Sequence, residues 1–210
     1  MKKIITLLAC CAFVFQLNAQ APAMAELFAN MPDHYLPQLE NAWRKDLIDL
    51  YESGKDATLK NALQGQSTLQ ELTPNYIKLA ISNVSVLEMK LLPLVNHTAI
   101  LCLVRTVYGP VPDSQISFYT TEWKPLDTTE ILEAATAKDF LKPTTDPKDI
   151  ALAHLDMDLF KYELNAKNTN LTQTYTTPLY LSKEQLKTVA PLLNDTLKVY
   201  KWKKYRFSSL

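Results

Sequence analysis

Glycine is scarce: the chain has three in 210 residues, against about 7% in average usage. Gly54, Gly65 and Gly109 stand too far apart for a P-loop or a dinucleotide-binding turn, which need clustered glycines to bring backbone against phosphate. No G-x-S-x-G elbow occurs, and three histidines offer little material for a general base. Carboxylate pairs such as Glu122 with Asp127 are unavoidable among 22 acidic residues, so their spacing identifies no acid–base site. No catalytic residue and no cofactor follow from these patterns. A surplus of charge is missing too, with 22 basic residues against 22 acidic ones. That balance excludes a globally basic nucleic-acid binder. What is present, 47% hydrophobic and 21% charged residues, is ordinary globular material with enough length for a core.

The N-terminus reads as an address. Lys2 and Lys3 precede an apolar run from Ile4 to Phe15, and Leu17-Asn18-Ala19 places a small residue at a cleavage position. Cleavage between Ala19 and Gln20 is expected. It removes Lys2 and Lys3, so 20 basic residues face 22 acidic ones and the mature chain carries a net charge of −2. The apolar run is shorter than the roughly 20 residues of a membrane span, so no transmembrane segment is expected in the mature chain. Leu7-Leu8-Ala9-Cys10 loosely resembles a lipoprotein box, but processing there leaves only Ile4–Ala9 as hydrophobic region. The expectation is therefore an unlipidated protein of the periplasm or exterior. Only Cys102 survives cleavage, which rules out an intrachain disulfide. It lies in the apolar run Ala99–Val104, the setting of a small core residue and not of a reactive thiolate.

Periodicity divides the remainder. A short helix is expected at Ala25–Ala29, then a longer one with Pro37 at its first position, carrying Leu39, Trp43, Leu47, Leu50 and Tyr51 and ended by Gly54. Residues 58–72 are ambiguous. Alternation then takes over: Ile77, Leu79 and Ile81 share one face, and Val84–Leu92 sets Leu87, Met89 and Leu91 against Glu88 and Lys90. Thr98–Tyr108 and Gln115–Trp123 continue the pattern, and the short loops favour an antiparallel meander. Asp127 with Glu130 predicts a helix to about Leu141, and Asp146-Pro147 another to about Ala153. A hairpin at 159–164 and 171–176, a helix capped by Ser182 and Gln185, and one extended segment over 197–207 complete the chain. The fold class is α+β, with antiparallel meander sheets packed with helices. One domain over 20–210 is expected, with room for two lobes at about 20–126 and 127–210.

Several blocks occur in a familiar order. They are Met31-Pro32-Asp33, Leu36-Pro37, Arg44–Asp49, Leu87–Pro93, Cys102–Thr106 and Ser117–Leu126. Together they resemble a secreted domain-of-unknown-function family of Bacteroidales-type bacteria, family 3256, over nearly the whole mature chain. The resemblance implies export and carries over no reaction.

Two clusters are candidate sites. Lys198–Phe207 holds five basic residues, four aromatics and no acid. As one strand it puts Tyr200, Trp202, Lys204 and Arg206 on a shared face, where cations beside aromatic rings suit an anionic glycan. The alternative is an edge strand whose lysines deter aggregation. His154, Asp156 and Asp158 alternate and offer a divalent-metal site if they lie on a strand. Sequons at Asn83, Asn96, Asn170 and Asn194 read as chance in a bacterial chain. Asp127-Thr128-Thr129 and Asp195-Thr196-Leu197 resemble O-glycosylation acceptors. These features add up to an exported, non-catalytic accessory or binding protein, its partner an envelope glycan or another envelope protein. A small, metal-dependent envelope hydrolase is the alternative, which stoichiometric metal in the purified protein distinguishes.

Overall fold

A computed structural model describes residues 23–133, 135–143, 154–155, 157–194 and 196–210. The helix expected over Asp146–Ala153 lies outside these residues. Two helices, α1 (Met24–Ala29) and α2 (Asn41–Glu52), open the chain. Seven strands follow: β1 (Thr58–Lys60), β2 (Gln66–Thr73), β3 (Tyr76–Ser82), β4 (Ser85–Pro93), β5 (Ala99–Tyr108), β6 (Pro112–Thr120) and β7 (Pro125–Leu126). They pair antiparallel in chain order as one meander. The remainder contributes α3 (Thr128–Ile131), β8 (Phe160–Leu164), β9 (Asn170–Tyr175), α4 (Lys183–Val189), β10 (Leu197–Lys203) and β11 (Arg206–Ser209). Its four strands form a second antiparallel meander, ordered β11-β10-β9-β8. The mixed α+β class with meander sheets is as expected, although strands dominate.

The alternation in β3, β4 and β5 decides the layering. Ile77, Leu79, Leu87, Met89, Leu101 and Leu103 pack beneath Leu27, Phe28, Leu47 and Ile48 of the two helices. The opposite face presents Tyr76, Leu92, Cys102, Val104 and Phe118 to Phe160, Tyr162, Leu171, Tyr175, Tyr200 and Trp202 of the second sheet. The order of layers is helices, seven-stranded sheet, four-stranded sheet. Cys102 is fully buried, and burial pushes its thiol well up, away from thiolate chemistry. No described helix is long and apolar enough to cross a membrane.

Two expected helices differ, and the ambiguous stretch resolves into strands. Helix α2 starts at Asn41 and not at Pro37, because Leu36 and Leu39 are buried in the approach loop and Arg44 gathers the loop's carbonyls. Gly54 ends it at φ +70°, a conformation that favours glycine. The ambiguous stretch forms β1 and β2, joined by a loop organised by Asn61. Its side-chain amide donates to Ser67 Oγ and the Ile81 carbonyl at 3.0 Å each and accepts from Leu63 and Gly65 N–H. The helix expected over 127–141 breaks after one turn. Asp127 caps Thr129 N–H at 2.9 Å, but Leu132 turns extended and Thr136 starts a separate 3-10 turn at Ala137–Phe140. Burying Ile131, Leu132, Ala135, Ala137 and Phe140 together requires that break.

Glu88 and Lys90, polar alternates in β4, are not solvated: the second sheet leaves them 5% and 1% exposed. Tyr76 Oη donates to Glu88 at 2.5 Å, and Lys90 Nζ donates to the Ala166 carbonyl at 2.8 Å and to Asn75 at 3.1 Å. Burial pushes the Glu88 carboxyl above its ordinary range, more than the Tyr76 bond and nearby Lys78 lower it, and Glu163 adds to the rise. Burial likewise depresses Lys90. A carboxyl raised on folding contributes stability that is complete below its unfolded pKa and lost as pH rises through the folded one. Glu88→Gln keeps an acceptor for Tyr76 without a charge. It should match the wild type in urea unfolding near the ordinary glutamate pKa of about 4.3 and exceed it increasingly toward neutrality. Parallel stability–pH curves for the two proteins contradict this.

Candidate functional site

The C-terminal segment is a hairpin and not one extended strand. The chain reverses at Lys204, which takes φ +59°, and pairs Trp202 with Phe207 and Lys203 with Arg206. The shared face expected for Tyr200, Trp202, Lys204 and Arg206 therefore does not form. Tyr200 and Trp202 point into the core at 5% and 7% exposure. Inward burial is physically consistent because each polar tip has a partner. Tyr200 Oη donates to Gln173 Oε1 at 2.6 Å, and Trp202 Nε1 donates to the Pro93 carbonyl at 2.7 Å. Burial pushes the Tyr200 phenol up to about 12, so it stays protonated. Lys201, Lys203 and Lys204 are exposed to solvent.

A groove does open at the other end of this hairpin, beside Glu133 and the 3-10 turn that carries Asp139. It encloses about 370 Å³ and is lined by Glu133, Asp139, Lys198, Arg206, Ser208 and Ser209, above Tyr200 and Phe207. Asp139 is held by the 3-10 turn, accepting from Thr136 N–H at 2.8 Å, and that bond first, then Lys198, keeps its carboxyl below the usual range. Lys198 Nζ lies 3.6 Å from Asp139 and 5.0 Å from the centre of the Phe140 ring. Two carboxylates and two cations thus face one cavity with two hydroxyls. Of the residues picked out by sequence, Tyr200 and Arg206 reach this groove, and Trp202 and Lys204 do not. Glu133, Asp139 and the two serines are not legible as partners in the sequence, because they come from segments about 70 residues apart that only the fold brings to one cavity.

The second cluster has no strand beneath it. His154 and Asp158 lie in turn and coil ahead of β8, so alternation does not give them a common face, and Asp156 lies outside the described residues. Among the described residues no group of three or more His, Cys, Asp or Glu side chains is placed to hold a metal ion. At the Asp127-Thr128-Thr129 triplet, the exposed Thr129 hydroxyl donates to Asp127 at 2.8 Å; Asp195 lies outside the described residues.

Comparison with known proteins finds no match among curated sequences. A solved structure of a domain of an uncharacterized protein from Porphyromonas gingivalis W83 superposes with a TM-score of 0.79 at 31% identity. The match covers 88% of this chain and 98% of that one. A family model matches residues 15–207. The chain belongs to the family described as protein of unknown function (DUF3256).

Proposed function

We propose that this is an exported, non-catalytic binding protein of the cell envelope whose C-terminal groove seats a glycan. The N-terminal Lys2-Lys3, the apolar run and Ala19 support export. The observation that carries the ligand class is the balance of the groove: Glu133 and Asp139 accept, Lys198 and Arg206 donate, and Ser208 and Ser209 do both. Sugar hydroxyls also donate and accept, so paired donor and acceptor groups match them. The formal charges cancel, which gives an anionic polymer no net attraction. A neutral glycan therefore fits better than the anionic one suggested by the lysines in the linear sequence. The volume falls within the about 300–1,000 Å³ typical of small-molecule sites.

The test is a glycan array followed by calorimetry on the mature chain beginning at Gln20. Lys198→Gln with Arg206→Gln should weaken the best glycan about tenfold or more, since hydrogen bonds to charged groups contribute roughly 1.5–3 kcal/mol each. The urea midpoint should fall only slightly, since the partly exposed Lys198–Asp139 pair contributes about 1 kcal/mol or less, and salt should alter affinity little. Absence of any glycan signal, or a double variant that binds like wild type, overturns the proposal. A steep loss of affinity with salt overturns its neutral-ligand part.

A further inference from the structure

Two of the three arginines lie on the helix side of the seven-stranded sheet, and their surroundings differ. Arg44 on α2 is fully buried and saturated: its guanidinium donates to the carbonyls of Ala29, Met31 and Leu39 and to Asp33. Arg105 on β5 follows Leu101 and Leu103 along the same face but has far less around it. Among the described residues its one hydrogen bond goes from Nη2 to the Tyr35 carbonyl, and no carboxylate pairs with it. Its Nε–H is buried without an acceptor. A guanidinium carries five donors in a fixed fork, so this one is short of acceptors. Leaving a buried donor unmatched costs about 1–3 kcal/mol, more for a charged group. Burial also presses the Arg105 pKa down, the mark of a cation held where solvent does not repay it.

The surroundings of Arg105 suggest what would repay it. A cleft of about 260 Å³ opens beside it, lined by His34, Tyr35, Gln115, Ser117 and Tyr119. Apart from Leu103, which also lines the cleft, the lining side chains can all donate hydrogen bonds, and none is acidic. The Tyr35 and Tyr119 rings meet edge to face at 4.9 Å, giving the cleft an aromatic wall. Burial keeps the Tyr119 phenol protonated by raising its pKa, so it remains a donor. Gln115 stands opposite Arg105 in the β5–β6 register, and Ser117 and Tyr119 follow it on the same face.

We propose that the Arg105 cleft binds the carboxylate of a small ring-bearing acid. A planar carboxylate accepts two parallel N–H bonds from a guanidinium. One cation neutralises one carboxylate, whereas a phosphate bearing close to two charges needs more than the single arginine provided here. The aromatic wall suits the flat face of a ring, and the small volume restricts the acid to about one ring. This site is separate from the C-terminal groove and does not depend on its ligand.

The test follows the arginine Nε–H resonances of the mature protein by ¹⁵N-edited NMR at constant ionic strength. Benzoate, glucuronate and inorganic phosphate are titrated in turn. The Arg105 resonance, assigned from its loss in Arg105→Lys, should shift to saturation with benzoate or glucuronate while the Arg44 resonance stays in place. Which of the two binds more tightly tells whether the ring is aromatic or a sugar. Arg105→Lys keeps the charge but loses the fork and should weaken binding about tenfold. Gln115→Ala, an exposed rim change that spares the core, should weaken it about threefold and serves if the arginine variant does not fold. The proposal is overturned if neither carboxylate saturates the shift or if phosphate binds as tightly. It is overturned equally if the folded variants bind like wild type.

Discussion

Arg44→Met should remove about 3 kcal/mol of stability or more, since three loop carbonyls lose their donor at about 1–3 kcal/mol each. Methionine fills much of the volume, so the loss comes from the carbonyls left behind. Arg44 Nη1 reaches Leu39, Nη2 reaches Met31, and Nε and Nη2 share Ala29 at 3.3 and 3.2 Å. One side chain thus closes the end of α1, the Asp33–Tyr35 turn and the approach to α2. The Asp33 contact at 3.0 Å adds little by itself, because that carboxylate is 61% exposed. Without the arginine, carbonyls in a buried loop lose their donors, at about 1–3 kcal/mol for each that water cannot reach. Arg44→Lys should fall between wild type and Arg44→Met, because one ammonium cannot span three carbonyls in different directions. Urea unfolding followed by circular dichroism measures both. A loss below about 1 kcal/mol in Arg44→Met would show that the loop finds other donors or water.

The same loop shows which parts of the fold sequence reasoning reaches. Strands β3 to β6, the β8–β9 hairpin and α4 were legible because their signals are local. Alternation fixes a face, and Ser182 with Gln185 forms a reciprocal capping box. Position Pro37 looked like a helix start because its φ suits one, but Arg44, seven residues on, ties the preceding chain into a non-helical loop. Alternation sets Glu88 and Lys90 on one face of β4, but it does not say whether a second sheet covers that face, and here one does. The C-terminal turn was invisible for a related reason. Lys203 to Arg206 contains no glycine, proline or asparagine, and Lys204 accepts a left-handed conformation that its residue type does not advertise. Both cavities are assembled from distant segments. Arg105 is a lone charge in an apolar strand, and neither spacing nor composition ties it to His34 or Tyr119.

Trp202→Ala should destabilise the protein by about 3–5 kcal/mol, and this expectation depends on the hairpin being folded inward. Trp202 meets Phe207 edge to face at 5.1 Å, and Phe207 lies 6.2 Å from Phe118 of the seven-stranded sheet. The indole therefore sits in the chain of rings that joins the two sheets. Its Nε1–H bond to the Pro93 carbonyl at 2.7 Å ties β10 to the end of β4. Alanine would open a cavity and leave that carbonyl without its donor. Trp202→Phe keeps most of the packing and loses the donor, so it should cost less, about 1–2 kcal/mol. Urea midpoints should rank wild type, Trp202→Phe and Trp202→Ala in falling order. Trp202 does not line the C-terminal groove, so any glycan bound there should keep its affinity for whatever fraction of either variant is folded. A Trp202→Ala protein that stays as stable as wild type but loses its ligand would reverse the assignment, placing the indole at the binding surface and the hairpin outside the core.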